Sequence, residues 1–88
     1  MSEMTDDQVN RVLAKLVGKD SHFFKPTLGR DNLAEVLAKL TPEQWDDLTP
    51  RLHDTWKNLG EPTGRFIWWT HTCDPAIIAR AVAEVVGK

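Results

Sequence analysis

A short apolar run, Arg65-Phe66-Ile67-Trp68-Trp69-Thr70, lies between a Gly/Pro turn and the capping residues of a last helix, and it constrains the fold more than any other segment. Read as an extended strand, it alternates across two faces, with Phe66 and Trp68 on one side and Ile67 and Trp69 on the other. Both faces are then apolar. A strand of that kind needs cover on both sides, from helices or from a partner chain, whereas a half-solvated strand alternates apolar with polar residues. Its backbone also needs a pairing partner, because an isolated strand leaves N–H and C=O groups unsatisfied. Within the chain the obvious partner is 21–24, which carries Phe23 and Phe24; a second copy of the chain is the other source.

Eighty-eight residues form one domain spanning 1–88. A chain of this length buries only roughly 60–65% of its unfolded surface, so each large apolar residue counts. Four tryptophans and no tyrosine concentrate that burial in a few rings, each able to bury roughly 150–250 Å². Trp45 and Trp56 fall on a helical stripe and are expected in the core. Trp68 and Trp69, as neighbours, cannot share a face. The net charge of -2, with both signs mixed along the chain, describes neither a polyanion-binding surface nor a nucleic-acid mimic. The single cysteine, Cys73, excludes an internal disulfide and a cysteine-rich zinc module and fits a reducing compartment. The acidic N-terminal segment is unlike a signal peptide, and no apolar run reaches the roughly 18–20 residues that span a bilayer. A cytoplasmic protein without membrane contact is expected.

Helix signals bracket the apolar run. Thr5 caps a first helix with Asp6 and Asp7 at its positive end, and Val9, Val12, Leu13, Leu16 and Val17 recur on one face until Gly18. A second helix starts at Asp31 and carries Leu33, Val36, Leu37 and Leu40. Thr41-Pro42-Glu43-Gln44 supplies a cap, a first-turn proline and a capping-box glutamine for a third. Pro50 then interrupts the stripe Trp45, Leu48, Leu52, Trp56 and Leu59, so this segment kinks or breaks there. Asp74-Pro75 opens a last helix whose Ile77, Ile78, Ala81, Val82, Val85 and Val86 form a broad apolar band, expected to lie across the sheet. The predicted fold is α+β and mostly α: four or five short helices packed on a small antiparallel sheet, either two-stranded or intermolecular.

The order of helix, aromatic loop, acidic-capped helix, Leu40-Thr41-Pro42-Glu43-Gln44-Trp45, Gly/Pro turn, apolar strand, Thr/Asp-capped helix and closing Gly87-Lys88 resembles small accessory proteins of tailed phages and prophages. The layout is similar to those described as alpha-beta-alpha sandwiches, and residues 40–52 and 66–88 carry the similarity. The aromatic residues such proteins often carry between the first and second helix are reduced here to His22, Phe23 and Phe24. The resemblance implies an accessory product with no assigned catalytic residues, and by analogy one that blocks or redirects a host protein.

His71-Thr72-Cys73-Asp74 is the one place where an imidazole, a thiol and a carboxylate come together, just before a helix start that can lower a thiol pKa. In an extended stretch His71 and Cys73 project to one side, within reach of a proton transfer. No oxyanion donor or orienting third group accompanies them, so an enzyme or redox-reactive protein built on this pair is an alternative and not the expectation. No paired ligand spacing supports a metal site, and no phosphate-cradling glycine loop supports a nucleotide cofactor. Aromatic residues near Lys25, Arg30, Arg65 and Arg80 could stack bases, but no continuous basic stripe appears, so nucleic-acid binding ranks below protein binding. The expected function is a non-enzymatic protein-binding module, joining a host protein or a second copy through Phe23, Phe24, Arg65, Trp68, Trp69 and His71.

Overall fold

Two threonines open helices by the same device. In the computed structural model, which describes residues 4–87, Thr5 starts α1 (Asp6–Val17) and Thr41 starts α3 (Pro42–Asn58). Each threonine hydroxyl accepts the amide three residues on at 3.2 Å, while that glutamine's side chain accepts the threonine amide at 2.9 Å in α1 and 2.8 Å in α3. The reciprocal bonds satisfy two of the donors that a helix start leaves unpaired. Between them lies α2 (Arg30–Leu37), which begins without a side-chain cap. A single 3-10 turn, Pro62–Gly64, leads into α4 (Phe66–Thr72), and Asp74 caps α5 (Pro75–Val86) by accepting the Ala76 amide at 3.0 Å.

The described residues contain no strand and no sheet, which overturns the expected α+β architecture. Of residues 65–70, expected to form a two-sided strand, 66–70 belong to α4 and Arg65 is its extended N-cap. Phe66, Trp69, Thr70 and Cys73 recur at i, i+3, i+4 and i+7, the spacing of one helical face. Trp69 and Cys73 are buried, Phe66 and Thr70 half-buried, and Ile67, Trp68 and His71 exposed. A helix satisfies its own backbone, so no pairing strand is required, within the chain or from a second copy. The proposed partner 21–24 is a turn in which the Phe23 and Phe24 amides donate to the Asp20 carbonyl at 3.1 and 3.0 Å. The α-β-α layering implied by the phage-protein resemblance is likewise absent from the described residues.

With no sheet to cover, α5 becomes the central helix and packs against α1, α2 and α3. Its Ala79, Val82 and Ala83 are fully buried, and the two alanines allow neighbouring helices close approach. Leu13, Val9, Val36 and Leu48 complete the interior from the other helices. One uninterrupted helix runs through Pro50, so the expected interruption of the third segment is not a break. Proline leaves the Asp46 carbonyl without its i+4 amide partner, and the next hydroxyl back, Thr49 Oγ1, donates to the Trp45 carbonyl at 3.0 Å. Polar links tie the outer helices down: Asn10 Oδ1 accepts the buried Thr27 amide at 3.2 Å, and Arg51 joins Asp47 and Glu84, each at 3.2 Å. Arg80 donates to the Asp6 carboxylate and to the Met4 carbonyl. No helix among the described residues is long and apolar enough to cross a membrane.

Candidate functional site

The placement of α4 is decided by the tight reversal that precedes it. Glu61 and Thr63 sit at φ 55° and 65°, in the left-handed region that ordinary side chains avoid, between Gly60 and Gly64 at φ 88° and 72°. The indole of Trp56 holds the reversal by donating from Nε1 to the Pro62 carbonyl at 2.9 Å. This swings α4 back onto α3, where Phe66 enters an aromatic cluster. Its ring centroid lies 5.1 Å from His53, 5.7 Å from Trp56 in an edge-on contact, and 6.1 Å from Trp69. Such separations fall within the favourable range for tilted and edge-to-face pairs.

Two depressions flank Phe66. The first, about 300 Å³, is lined by Leu37 of α2, Trp45, Thr49 and Leu52 of α3, Phe66, Thr70 and His71 of α4, and Ile78 of α5. Its wall is overwhelmingly apolar, with His71 and two threonine hydroxyls as polar points. The second is wider and more open, about 550 Å³, between His53 on α3, Arg65 at the N-cap of α4, and Ile67 and Trp68 on α4. Phe66 is common to both, so the two form one surface. Trp68 stands 63% exposed and Ile67 68% exposed on one side of it, with Trp45 at 39% on the other.

The sequence-predicted site residues divide into three groups. Arg65, Trp68 and His71 are brought together around Phe66 and line its depressions. Trp69 and Phe24 are core residues, 3% and 2% exposed, and Lys19 Nζ lies 5.6 Å from the Phe24 ring centroid. Phe23 projects from the α1–α2 loop, 87% exposed, and lines neither depression. Sequence reasoning assigned Trp45 to the core on its stripe. The ring belongs to the first depression, at the N-terminal end of α3 where the stripe passes the edge of the packed interior. Ile67 also joins the surface, and the signal that places it there is the helical period of α4.

The His71 and Cys73 pair does not assemble as the extended reading required. His71 lies within α4, Cys73 is its C-terminal cap, and no hydrogen bond joins them among the described residues. The thiol is buried. Burial pushes the Cys73 pKa up, the nearby Arg30 guanidinium pulls it part of the way back, and the Asp74 carboxylate adds a smaller upward push. The Arg30 guanidinium also donates to the Cys73 carbonyl. A thiol kept protonated at neutral pH is a weak nucleophile and a weak metal ligand. Among the described residues no three or more His, Cys, Asp or Glu side chains gather into a possible metal site. Of the four cations considered for nucleic acid, Arg30 and Arg80 are spent on internal carbonyls and on Asp6, which leaves Lys25 and Arg65 on separate elements.

No protein-family model, no curated protein and no solved structure matches this chain.

Proposed function

We propose that this protein is a non-catalytic recognition module that binds another protein chain through the surface centred on Phe66. The observation that carries this reading is the pairing of two exposed indoles, Trp68 and Trp45, with an apolar recess between the helices that bear them. Tryptophan is enriched among the residues that dominate interface energy, and such anchors act beside pockets from which water is excluded. Contiguous apolar surface of a few hundred Å² is also where small proteins concentrate function. The polar residues at its edge, Arg65, His71 and Thr49, supply the donors and acceptors of an interface rim. The host-protein version of this reading comes from the phage-protein resemblance, whose expected strand is absent; the surface chemistry is the firmer support.

The test is site-specific photo-crosslinking in cell extract. A crosslinker at Ile67 is expected to give a discrete protein adduct, to the same chain or to another, that Trp68→Ala suppresses and Phe23→Ala leaves intact. Adducts at Ile67 no stronger than those from an exposed control position on α1, such as Arg11, would remove the proposed surface.

A further inference from the structure

Helix α4 is attached to the molecule differently from α1, α2, α3 and α5. Each of those carries or adjoins an ion pair to a neighbour: Arg80 of α5 with Asp6 of α1, Arg51 of α3 with Glu84 of α5, and Glu35 of α2 with Lys19 just after α1. Among the described residues no side chain of Phe66–Thr72 makes a hydrogen bond or ion pair to another element. The hydroxyls of Thr70 and Thr72 donate within α4, to the Ile67 and Trp68 carbonyls at 2.7 and 3.0 Å. Both ends of α4 are joints. Before it, Gly60, Glu61, Thr63 and Gly64 all hold positive φ. After it, Cys73 and Asp74 leave helical geometry at ψ 166° and 127°. Each joint is fixed by one side-chain donor from another helix, aimed at a main-chain carbonyl: Trp56 Nε1 of α3 at Pro62, 2.9 Å away, and the Arg30 guanidinium of α2 at Cys73.

A helix of seven residues is too short to keep its shape alone, so α4 is helical because it is docked. We infer that α4 is a lid, hinged at 60–65 and 73–74 and held shut by the Trp56–Pro62 and Arg30–Cys73 bonds, which opens while α1, α2, α3 and α5 stay folded. The recess shows what the lid governs. Phe66, Thr70 and His71 form its α4 wall and residues of α2, α3 and α5 form the rest, so lifting α4 turns a hollow of about 300 Å³ into an open cleft. Opposing costs set the resting position. Burial of Trp69 and Cys73 holds the lid down, while the left-handed backbone at Glu61 and Thr63 stores strain that opening releases. The closed form therefore dominates and the open one is a minor population of the native ensemble. The lid concerns access to the surface around Phe66 and stands whichever molecule that surface recognises.

The experiment is hydrogen exchange of the full chain under native conditions, read by mass spectrometry. The amides that close α4 run from Trp69, bonded to the Arg65 carbonyl at 3.1 Å, to Cys73, bonded to the Trp69 carbonyl at 2.8 Å. They are expected to exchange at least about tenfold faster than residues 79–83 of α5, and with a weaker dependence on added denaturant, since a local opening exposes little surface. Arg30→Ala removes a charged donor and is expected to speed exchange of 69–73 by about a further tenfold, leaving α1 and α5 within about twofold. Trp56→Phe keeps a ring and deletes the indole donor. It is expected to have the same local effect on exchange and to quicken the reaction of the Cys73 thiol with a disulfide reagent by a similar factor. The thiol is read on this variant because Arg30→Ala also removes the guanidinium that favours ionisation of Cys73. Exchange of 69–73 in step with α5 in the parent chain overturns the lid. So do variants that speed all five helices alike, which would make the two bonds props of the whole fold, or variants that speed none.

Discussion

Thr27 is 2% exposed, and its hydroxyl has no hydrogen-bond partner among the described residues, although its amide donates to Asn10 Oδ1. An unsatisfied buried hydroxyl costs about 1–3 kcal/mol, and replacing it with a methyl of similar shape removes that cost. Thr27→Val is therefore expected to be neutral or to stabilise by up to about 1 kcal/mol in chemical denaturation, whereas Asn10→Ala, which strands the Thr27 amide, should destabilise by about 1–3 kcal/mol. The opposite order would mean that the hydroxyl is satisfied. Cys73 gives a second residue-level expectation. Because burial raises its pKa in the folded state, the fold holds the thiol proton more tightly than the unfolded chain does. The contribution is intact below the thiol's ordinary value of 9.0 and is lost as the pH climbs through the higher folded value, so stability declines on the alkaline side. Cys73→Ala should flatten that decline relative to the parent chain, and the native thiol should react with a disulfide reagent at neutral pH more slowly than a free thiol. Equal slopes above pH 9.0 would count against a buried, protonated thiol.

Helix α4 is the element that separates what the sequence disclosed from what it did not. Helices α1, α3 and α5 were legible because Thr5, Thr41 and Asp74 mark their starts and their apolar stripes run for three turns or more. A six-residue apolar run between turns is too short for a period of 3.6 to be told from a period of 2, and its β-prone aromatic residues favour the strand. Burial decided the other way, since one face of α4 meets α3 while Trp68 and Ile67 remain outside. The same ambiguity misplaced part of the site: Trp68, Arg65 and His71 were legible, Trp69 and Phe24 turned inward, and Trp45 turned out to be surface. The left-handed backbone at Glu61 and Thr63 left no trace in their side-chain types. Two substitutions test the helix directly. Trp69→Ala should cost about 3–5 kcal/mol of unfolding free energy through the cavity it leaves, while Trp68→Ala should stay within about 0.5 kcal/mol. Comparable losses at both positions would restore the two-sided strand. Within the reversal that aims α4, Thr63→Gly should stabilise by about 1 kcal/mol, because a β-branched residue at φ 65° stores strain that glycine does not.

At the scale of the molecule, the thin core and the apolar surface around Phe66 bear on one another. A chain of eighty-eight residues has little interior to spare, and here four large rings divide into two buried, Trp56 and Trp69, and two partly or largely exposed, Trp45 and Trp68. Trp68, 63% exposed, does little for the monomer's stability, so its energetic role is realised when something covers it. If that cover is a second copy, folding and association are linked, because a partner that binds the folded chain and not the unfolded one stabilises it by mass action. The gain grows with concentration, reaching about 2.7 kcal/mol when the binding partner is present at a hundredfold excess over its dissociation constant. In that case the thermal midpoint of the parent chain climbs by several degrees as its concentration is raised a hundredfold, given that about 1 kcal/mol shifts a domain of this size by roughly 4–8 °C. Trp68→Ala should match the parent at high dilution and stay flat as concentration rises. A midpoint that is independent of concentration in both chains would mean that the cover for Trp45 and Trp68 is not another copy, and that the monomer carries its two exposed indoles for a different protein.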